Sequence, residues 1–325
     1  MPAIRTLAAA VTLVTAAGPA AAQDWPTRPV TMVVPFAAGG GGDLIGRILA
    51  PRLSELLGRT VIVENSGGAG GMNGAARVAN ATPDGYQFVL GNIGTHAQNQ
   101  TLYKNPLYNA ATDFAPVALV AEVPTLLVAR KDLPADNLPE FIAYAKAHPA
   151  TMQYGSAGAG SNTHLACTLL NAAIGINITH IPYRGVGPAI QDLIAGRIDY
   201  QCAGAGTVLP QIQGGTMKAI TILGRNGSPI VPNLLSAHQQ GLTNFDVGVW
   251  NALFLPKGTP ATIVRKLHDA AVGTMDTPVV QARMREFGAD FVASERRSPE
   301  YLQKFVESEI VKWAGPIKAL GMTGD

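Results

Sequence analysis

Val33-Val34-Pro35-Phe36-Ala37-Ala38-Gly39-Gly40-Gly41-Gly42-Asp43 ends a strand and opens a helix. Val30 to Val34 is rich in β-branched residues, uncharged and stopped by a proline, as a short buried strand should be. After the glycines, Leu44, Ile45, Ile48, Leu49, Leu53, Leu56 and Leu57 recur at helical spacing, and Gly58 supplies a C-terminal stop. A glycine turn at that point leaves backbone N–H groups free at the positive end of the helix dipole. Having no Cβ, it also lets an anion such as a carboxylate or phosphate come close. A lone glycine run reads equally well as a flexible surface turn. Further loops of the same kind tilt the balance towards a binding role.

Working outward, strand and helix alternate. Strand 30–34 and helix 43–57 are followed by strand 60–63, the glycine loop Ser66–Gly74, a helical stretch 75–79 and strand 86–90. Strand 86–90 runs into Gly91-Asn92-Ile93-Gly94-Thr95-His96. This rhythm predicts a largely parallel sheet covered on both faces, with ligands beyond the carboxyl ends of its strands. Val117 to Ala129 is a longer apolar run leaving the first sheet. A second series then begins: helix 138–147, strand 152–154, the loop Gly155–His164, helix 165–173, strand 177–181, helix 189–195, and strands 198–202 and 217–223. Val247 to Leu255 reads as the return crossing, before helices over 261–272, 278–287 and 299–320. Two βα units joined by two crossings make a hinge with a cleft between lobes. The expected division is lobe 1 over 23–124 plus 249–325 and lobe 2 over 125–248.

At 325 residues the chain is long enough for two such units. A formal charge of +2, with no dense Lys/Arg cluster, argues against a nucleic-acid partner. Residues 1–22 have the form of a signal peptide: Arg5, an apolar run from Leu7 to Ala17, then Ala20-Ala21-Ala22 before Gln23. That run is shorter than the roughly 20 residues a membrane span needs. No cysteine follows the cleavage point to carry a lipid, so an exported, periplasmic protein is expected. Cys167 and Cys202 are either bonded or a pair of buried thiols, and an oxidising compartment favours the bond. A catalytic thiol is the lesser reading, since neither cysteine has a local Cys/His/Asn pattern.

The loop Gly155–His164 sets Ser156, Ser161 and Thr163 at the start of a helix, where hydroxyls and free N–H groups can hold a carboxylate by neutral donors. Each hydroxyl could equally be a plain helix cap. Tyr183 and Arg184 could add an aromatic wall and a cation. Asp43 at a helix start, and His96 and His164 in their loops, have local roles as the plain alternative to ligand contact. The glycine runs contain no G-x-x-x-x-G-K-[ST] and no complete G-x-G-x-x-G after a strand, and no G-x-S-x-G elbow is present. No His, Cys and acid stand at metal-ligand spacing. No cofactor is expected.

Taken together these stretches resemble the substrate-binding receptors of tripartite tricarboxylate transporters, the Bordetella uptake gene (Bug) family. The resemblance runs through Trp25-Pro26-Thr27-Arg28-Pro29-Val30, Pro35-Phe36-Ala37-Ala38-Gly39-Gly40 with Asp43, and Val63-Glu64-Asn65 with Gly67-Gly68-Ala69-Gly70-Gly71. It continues in Pro83-Asp84-Gly85-Tyr86, Tyr154-Gly155-Ser156-Ala157-Gly158, Ile181-Pro182-Tyr183-Arg184-Gly185 and Pro256-Lys257-Gly258-Thr259-Pro260, covering nearly all of the chain after residue 22. It implies an α/β type II periplasmic binding-protein fold of Venus-flytrap form, a carboxylate gripped by both lobes, and no catalysis. Carried over by position, Phe36, Ala37, Ala38 and Gly39 lie on one side of the ligand, with Ser156, Gly158 and Ser161 on the other. Thr95 and Tyr183 lie nearby, and Asp43, His164 and Gly204 complete the expected ligand-binding set.

Two departures from the family pattern stand out: Ala37 where proline is common, and Cys167-Thr168 in place of Gly-Glu. Small residues over Gln201–Gly206 would make room for a bulkier ligand such as an aromatic carboxylate. The expected partners are a small organic acid (di- or tricarboxylate, or aromatic) and membrane permease subunits, with the receptor itself a monomer. Two other readings use the same cleft: an exported hydrolase or lyase working through His164 or Cys167, and a sensory ligand-binding protein.

Overall fold

The computed structural model describes residues 25–243 and 245–321. The signal peptide expected over residues 1–22 lies outside the described residues. The chain runs β1 (Val30–Val34), α1 (Gly41–Leu57), β2 (Val61–Asn65), α2 (Met72–Ala79), β3 (Gln87–Asn92), α3 (Asn99–Leu102) and β4 (Phe114–Arg130). Next come α4 (Leu138–Ala147), β5 (Gln153–Ser156), α5 (Asn162–Ile174), β6 (Thr179–Pro182), α6 (Val186–Ile194), β7 (Tyr200–Gly204), α7 (Ala205–Gln213) and β8 (Met217–Ile222). It closes with β9 (Gly248–Pro256), α8 (Ala261–Met275), α9 (Pro278–Phe287), β10 (Asp290–Phe291) and α10 (Pro299–Ala319).

The strands lie in the order β2-β1-β3-β9-β4-β7-β5-β6, with β8 and β10 also paired to β4. β1 runs parallel to β2 and β3, and β5 parallel to β6 and β7. Between these two parallel groups stand β4 and β9. Residues 114–124 of β4 pair antiparallel with β9, while 125–129 pair antiparallel with β7 and 126–130 with β8. The expectation of a largely parallel sheet therefore holds at its two ends and fails at its middle. β4 leaves the first half of the molecule and β9 returns to it, so the two must run in opposite directions. Apolar β-branched runs look the same in either sense, and periodicity could not separate them.

Strand β1 is buried on both faces. Val30 and Met32 pack in one core with Ile45, Leu49 and Leu53 of α1 and with Leu267 of α8, while Val33 packs in another with Met72, Ala75 and Val78 of α2. This accounts for an uninterrupted apolar strand rather than an alternating one. Gly58 ends α1 at φ 70°, a left-handed cap that glycine adopts without a Cβ penalty. A third core, beneath α6 and α7, joins Leu126, Val128, Ile190, Leu193, Ala203 and Val208.

Three local expectations are corrected. Residues 91–96 are not an open loop: β3 continues to Asn92 and a π-helical turn occupies Gly94–Gln98. Helix α5 begins at Asn162 rather than 165, which takes Thr163 and His164 into its first turn. Residues 205–213 form a helix, α7, that the small residues Gly204-Ala205-Gly206 had masked.

Candidate functional site

Four helix N-termini converge on one cavity between the two halves of the molecule. It is lined by Gly40, Gly41 and Gly42 at the start of α1, Asn162 and Thr163 at α5, Val186 at α6, and Gly204 and Thr207 at α7. The N-cap residues of α1, α6 and α7 are Gly40, Gly185 and Gly204, and none of these helices has a side-chain cap. Their first N–H groups are thus left for whatever occupies the cavity. Phe36, Ile45, Val123, Val249 and Phe287 supply apolar wall, and Asn92 and Asn251 supply amides. Among the described residues, no Asp, Glu, Lys, Arg or His lines the space. Its volume is about 50 Å³, room for a small molecule only. A larger cavity, about 410 Å³, is lined by charges of both signs, Glu122, Asp246 and Glu309 with Arg225 and Lys312.

The two halves are in contact around this cavity. A Cβ on Gly185 would lie 2.9 Å from Cβ of Ala37, and one on Gly70 would lie 2.7 Å from the carbonyl carbon of Gly160. The Tyr103 hydroxyl donates to the Ala159 carbonyl at 3.3 Å. Only glycine at these points allows the two halves to approach this closely.

Of the residues expected at the ligand, Phe36 and Gly204 line the cavity. Ala37 and Ala38 face Gly185 and Gly187 at the lip. Gly39 is not a free donor: its N–H goes to Asp43 Oδ2 at 2.9 Å. Asp43 is buried and also accepts from Arg47 Nε at 3.0 Å. Burial works to raise its pKa, but the Arg47, Gly39 and Asn65 groups outweigh that and hold the carboxyl below the usual range. Asp43 therefore braces the glycine turn from behind. The next three glycines, which carry the cavity wall, sit in the quoted stretch but were not singled out by position.

The serines of the second loop build it rather than project from it. Ser161 is the N-cap of α5, accepting from His164 N–H at 3.3 Å, and its hydroxyl donates to Gly158 O at 2.7 Å. Thr163 Oγ1 accepts from Ala157 N–H at 2.8 Å. Ser156 Oγ lies 2.7 Å from His180 Nε2 and accepts from Gly158 N–H at 3.1 Å. His164 accepts from Gly160 N–H at 3.2 Å and stacks on His180. Burial lowers both imidazoles, His164 to about 3 and His180 to about 4, so each is neutral at pH 7.

Thr95 is fully buried and spends its hydroxyl within its own turn, against Asn92 and His96. His96 is sealed in an aromatic stack on Phe254, its ring filling the space beside Gly91, and burial lowers it to about 3. Tyr183 donates its hydroxyl to Asp192 at 2.7 Å, which together with burial pushes it up to about 12. Arg184 is exposed.

The favoured reading of the two cysteines holds. Cys167 and Cys202 form a disulfide linking α5 to β7, with Cα atoms 5.4 Å apart, which removes Cys167 as a nucleophile. Of the small residues over Gln201–Gly206, Gly204 lines the cavity. A Cβ on Gly206 would lie 2.3 Å from the Phe287 ring, so that room is filled by Phe287. Asn92, Asn162, Asn251 and Phe287 were missed as site residues. Asn92, at the carboxyl end of a strand, and Asn162, within the loop Gly155–His164, carried usable signals; Asn251 and Phe287 become neighbours only through tertiary contacts.

The chain is similar over most of its length to known proteins. The family model described as tripartite tricarboxylate transporter family receptor matches residues 45–322. A UPF0065 protein of Agrobacterium vitis is 39% identical over 303 residues, 93% of this chain and 87% of that protein. The periplasmic binding protein BugD has 39% identity and a TM-score of 0.88, covering 92% of this chain and 99% of its own. MatC from Rhodopseudomonas palustris, solved with bound malate, has 38% identity and a TM-score of 0.87, over 90% of this chain and 100% of its own.

Proposed function

The chain belongs to the tripartite tricarboxylate transporter receptor family, and from that premise we propose that it captures a small organic carboxylate in the periplasm and hands it to the permease of such a transporter. The family consists of binding proteins, not enzymes. In this reading residues 1–22 direct export, residues 23–124 with 249–325 form one lobe, and residues 125–248 form the other.

The observation that carries the reading is the charge balance of the cavity. Several uncapped helix N-termini meet there with no basic side chain, so the positive potential is that of backbone dipoles. Such a site favours a carboxylate without the cost of burying a Lys or Arg when the ligand is absent. Because donors come from both lobes, the carboxylate bridges them and stabilises the closed form by the difference in its affinity for the two states. The closed form then presents both lobe surfaces to the permease together.

Titration calorimetry on refolded residues 23–325 with malate, succinate and adipate tests this. Saturable binding, with the acid recovered chemically unchanged, is the expected result. Turnover of the acid, or heat equal to dilution for every acid, would refute it.

A further inference from the structure

We infer that Phe287 is the residue that limits the bulk of the acid this chain accepts; this step rests on the receptor reading above. Phe287 is the last residue of α9, and its side chain is half-buried. It packs against the core that holds Ile45, Val123 and Met284, and it also forms part of the cavity wall. Across the gap it meets the first turn of α7. A Cβ added to Gly206 would overlap Cζ and Cε2 of the ring and the Phe287 carbonyl oxygen, so the residue lies directly on the α7 backbone. Two glycines make this seat. Gly288 ends α9 at φ 86°, a left-handed cap, and a Cβ on it would lie 3.4 Å from the Gly206 nitrogen. Gly206 itself has no positive φ, so what its missing side chain provides is room for Phe287.

In a cavity of about 50 Å³, one aromatic ring in the wall decides what fits. The wall holds two phenylalanines. Phe36 is seated within its own half, against Gly71 and the glycine turn, whereas Phe287 reaches the cavity from α9 and rests on the opposite half. The rest of the lining yields less: Gly40, Gly41, Gly42 and Gly204 are backbone at helix starts, and Ile45 and Val123 are locked in the core. An acid with a branch or ring pointing towards α7 therefore meets Phe287 and must lift it off Gly206. Selection here works by exclusion, a steric penalty on bulky acids rather than an added contact to slim ones. Trimming Phe287 to alanine leaves an apolar hole the size of its ring, and such holes take up an aryl group when their surroundings do not collapse. The chemical class admitted would then be carboxylates with an aryl substituent.

The test compares wild type, Phe287→Leu and Phe287→Ala by titration calorimetry with succinate and 2-phenylsuccinate, which share both carboxylates and differ by one ring. Circular dichroism melts confirm that each variant is folded. The readout is the ratio of the two dissociation constants within one protein, which a merely loosened fold, weakening both acids alike, does not move. Wild type is expected to hold succinate at least about tenfold more tightly than 2-phenylsuccinate. The ratio should shift towards 2-phenylsuccinate by about threefold or more in Phe287→Leu and about tenfold or more in Phe287→Ala, where the phenyl group replaces the missing ring. The leucine variant decides the matter if the alanine variant does not fold. Wild type holding both acids equally, or a ratio unchanged by the substitutions, overturns the inference and leaves the receptor reading standing. Wild type binding neither acid is the separate outcome that overturns the receptor reading, and the inference with it.

Discussion

Ser156 Oγ lies 2.7 Å from Nε2 of His180, and the His180 ring stacks on His164 with centroids 3.9 Å apart. The contact ties the end of β5 to β6 and, through Gly160 and His164, to the first turn of α5. It is a structural brace beneath the cavity, and it requires neutral imidazoles. Because His96, His164 and His180 all have lowered pKa values in the folded state, the unfolded chain takes up their protons first as pH falls below about 6.5. Their contribution to stability is complete above that pH and is lost progressively down towards about 4 for His180 and about 3 for the others.

Stability measured by urea unfolding should therefore be level from pH 8 to 7 and decline below 6.5. Each such histidine contributes a slope of at most about 1.4 kcal/mol per pH unit, over a window that ends higher for His180 than for His96. His180→Gln should flatten the decline. An unchanged slope in that variant would show that His180 is not held neutral.

Closure depends on a glycine that has no need of its conformational freedom. Gly185 has φ 170°, extended backbone open to any residue, yet a Cβ there would press on Ala37 across the cleft. Gly185→Val should weaken carboxylate binding at least tenfold and leave the unliganded protein within about 0.5 kcal/mol of wild type. Titration calorimetry and urea unfolding read the two effects separately. Unimpaired binding would mean that the lobes need not approach this closely.

Gly204→Asp separates folding from binding in the opposite sense. An aspartate at the N-cap of α7 supplies the side-chain cap this helix lacks, worth about a few tenths of a kcal/mol over glycine, though the tight contact with Val123 will absorb part of it. The same carboxylate faces the cavity. Binding of any acid should fall by at least a hundredfold while the denaturation midpoint is kept or raised. Retained affinity would place the ligand away from α7.

The Cys167–Cys202 bond closes a loop of sequence separation 35 and anchors α5, whose N-terminus borders the cavity, to β7. Replacing both cysteines with alanine should cost about 3–4 kcal/mol, measured by urea unfolding against the oxidised wild type. Reduced wild type should match the double variant. Equal stability of all three would deny the bond a stabilising role.

Much of this was legible in residue order. The apolar strand at Val30 to Val34, the glycine turn and the periodic helix behind it predicted their own geometry, because each depends on contacts a few residues apart. The crossing strands were visible as long apolar runs, but their antiparallel sense was not, since direction leaves no mark on composition. Serine at 161 in a glycine-rich loop could be cap or ligand donor, and the cap won because α5 starts at Asn162 and needs one. Phe287 and Asn251 could not have been placed at the site: they reach it from distant parts of the chain through β9 and α9, on tertiary contacts alone.

The central claim, that neutral helix termini and amides hold a carboxylate, is tested most directly by thermal unfolding of refolded residues 23–325 with succinate and glutarate, each beside its diamide. A ligand at a hundred times its Kd adds about 2.7 kcal/mol, enough to raise the Tm by several degrees. The acids should raise it and the diamides should not. No shift with any acid, or an equal shift with the diamides, would contradict the account.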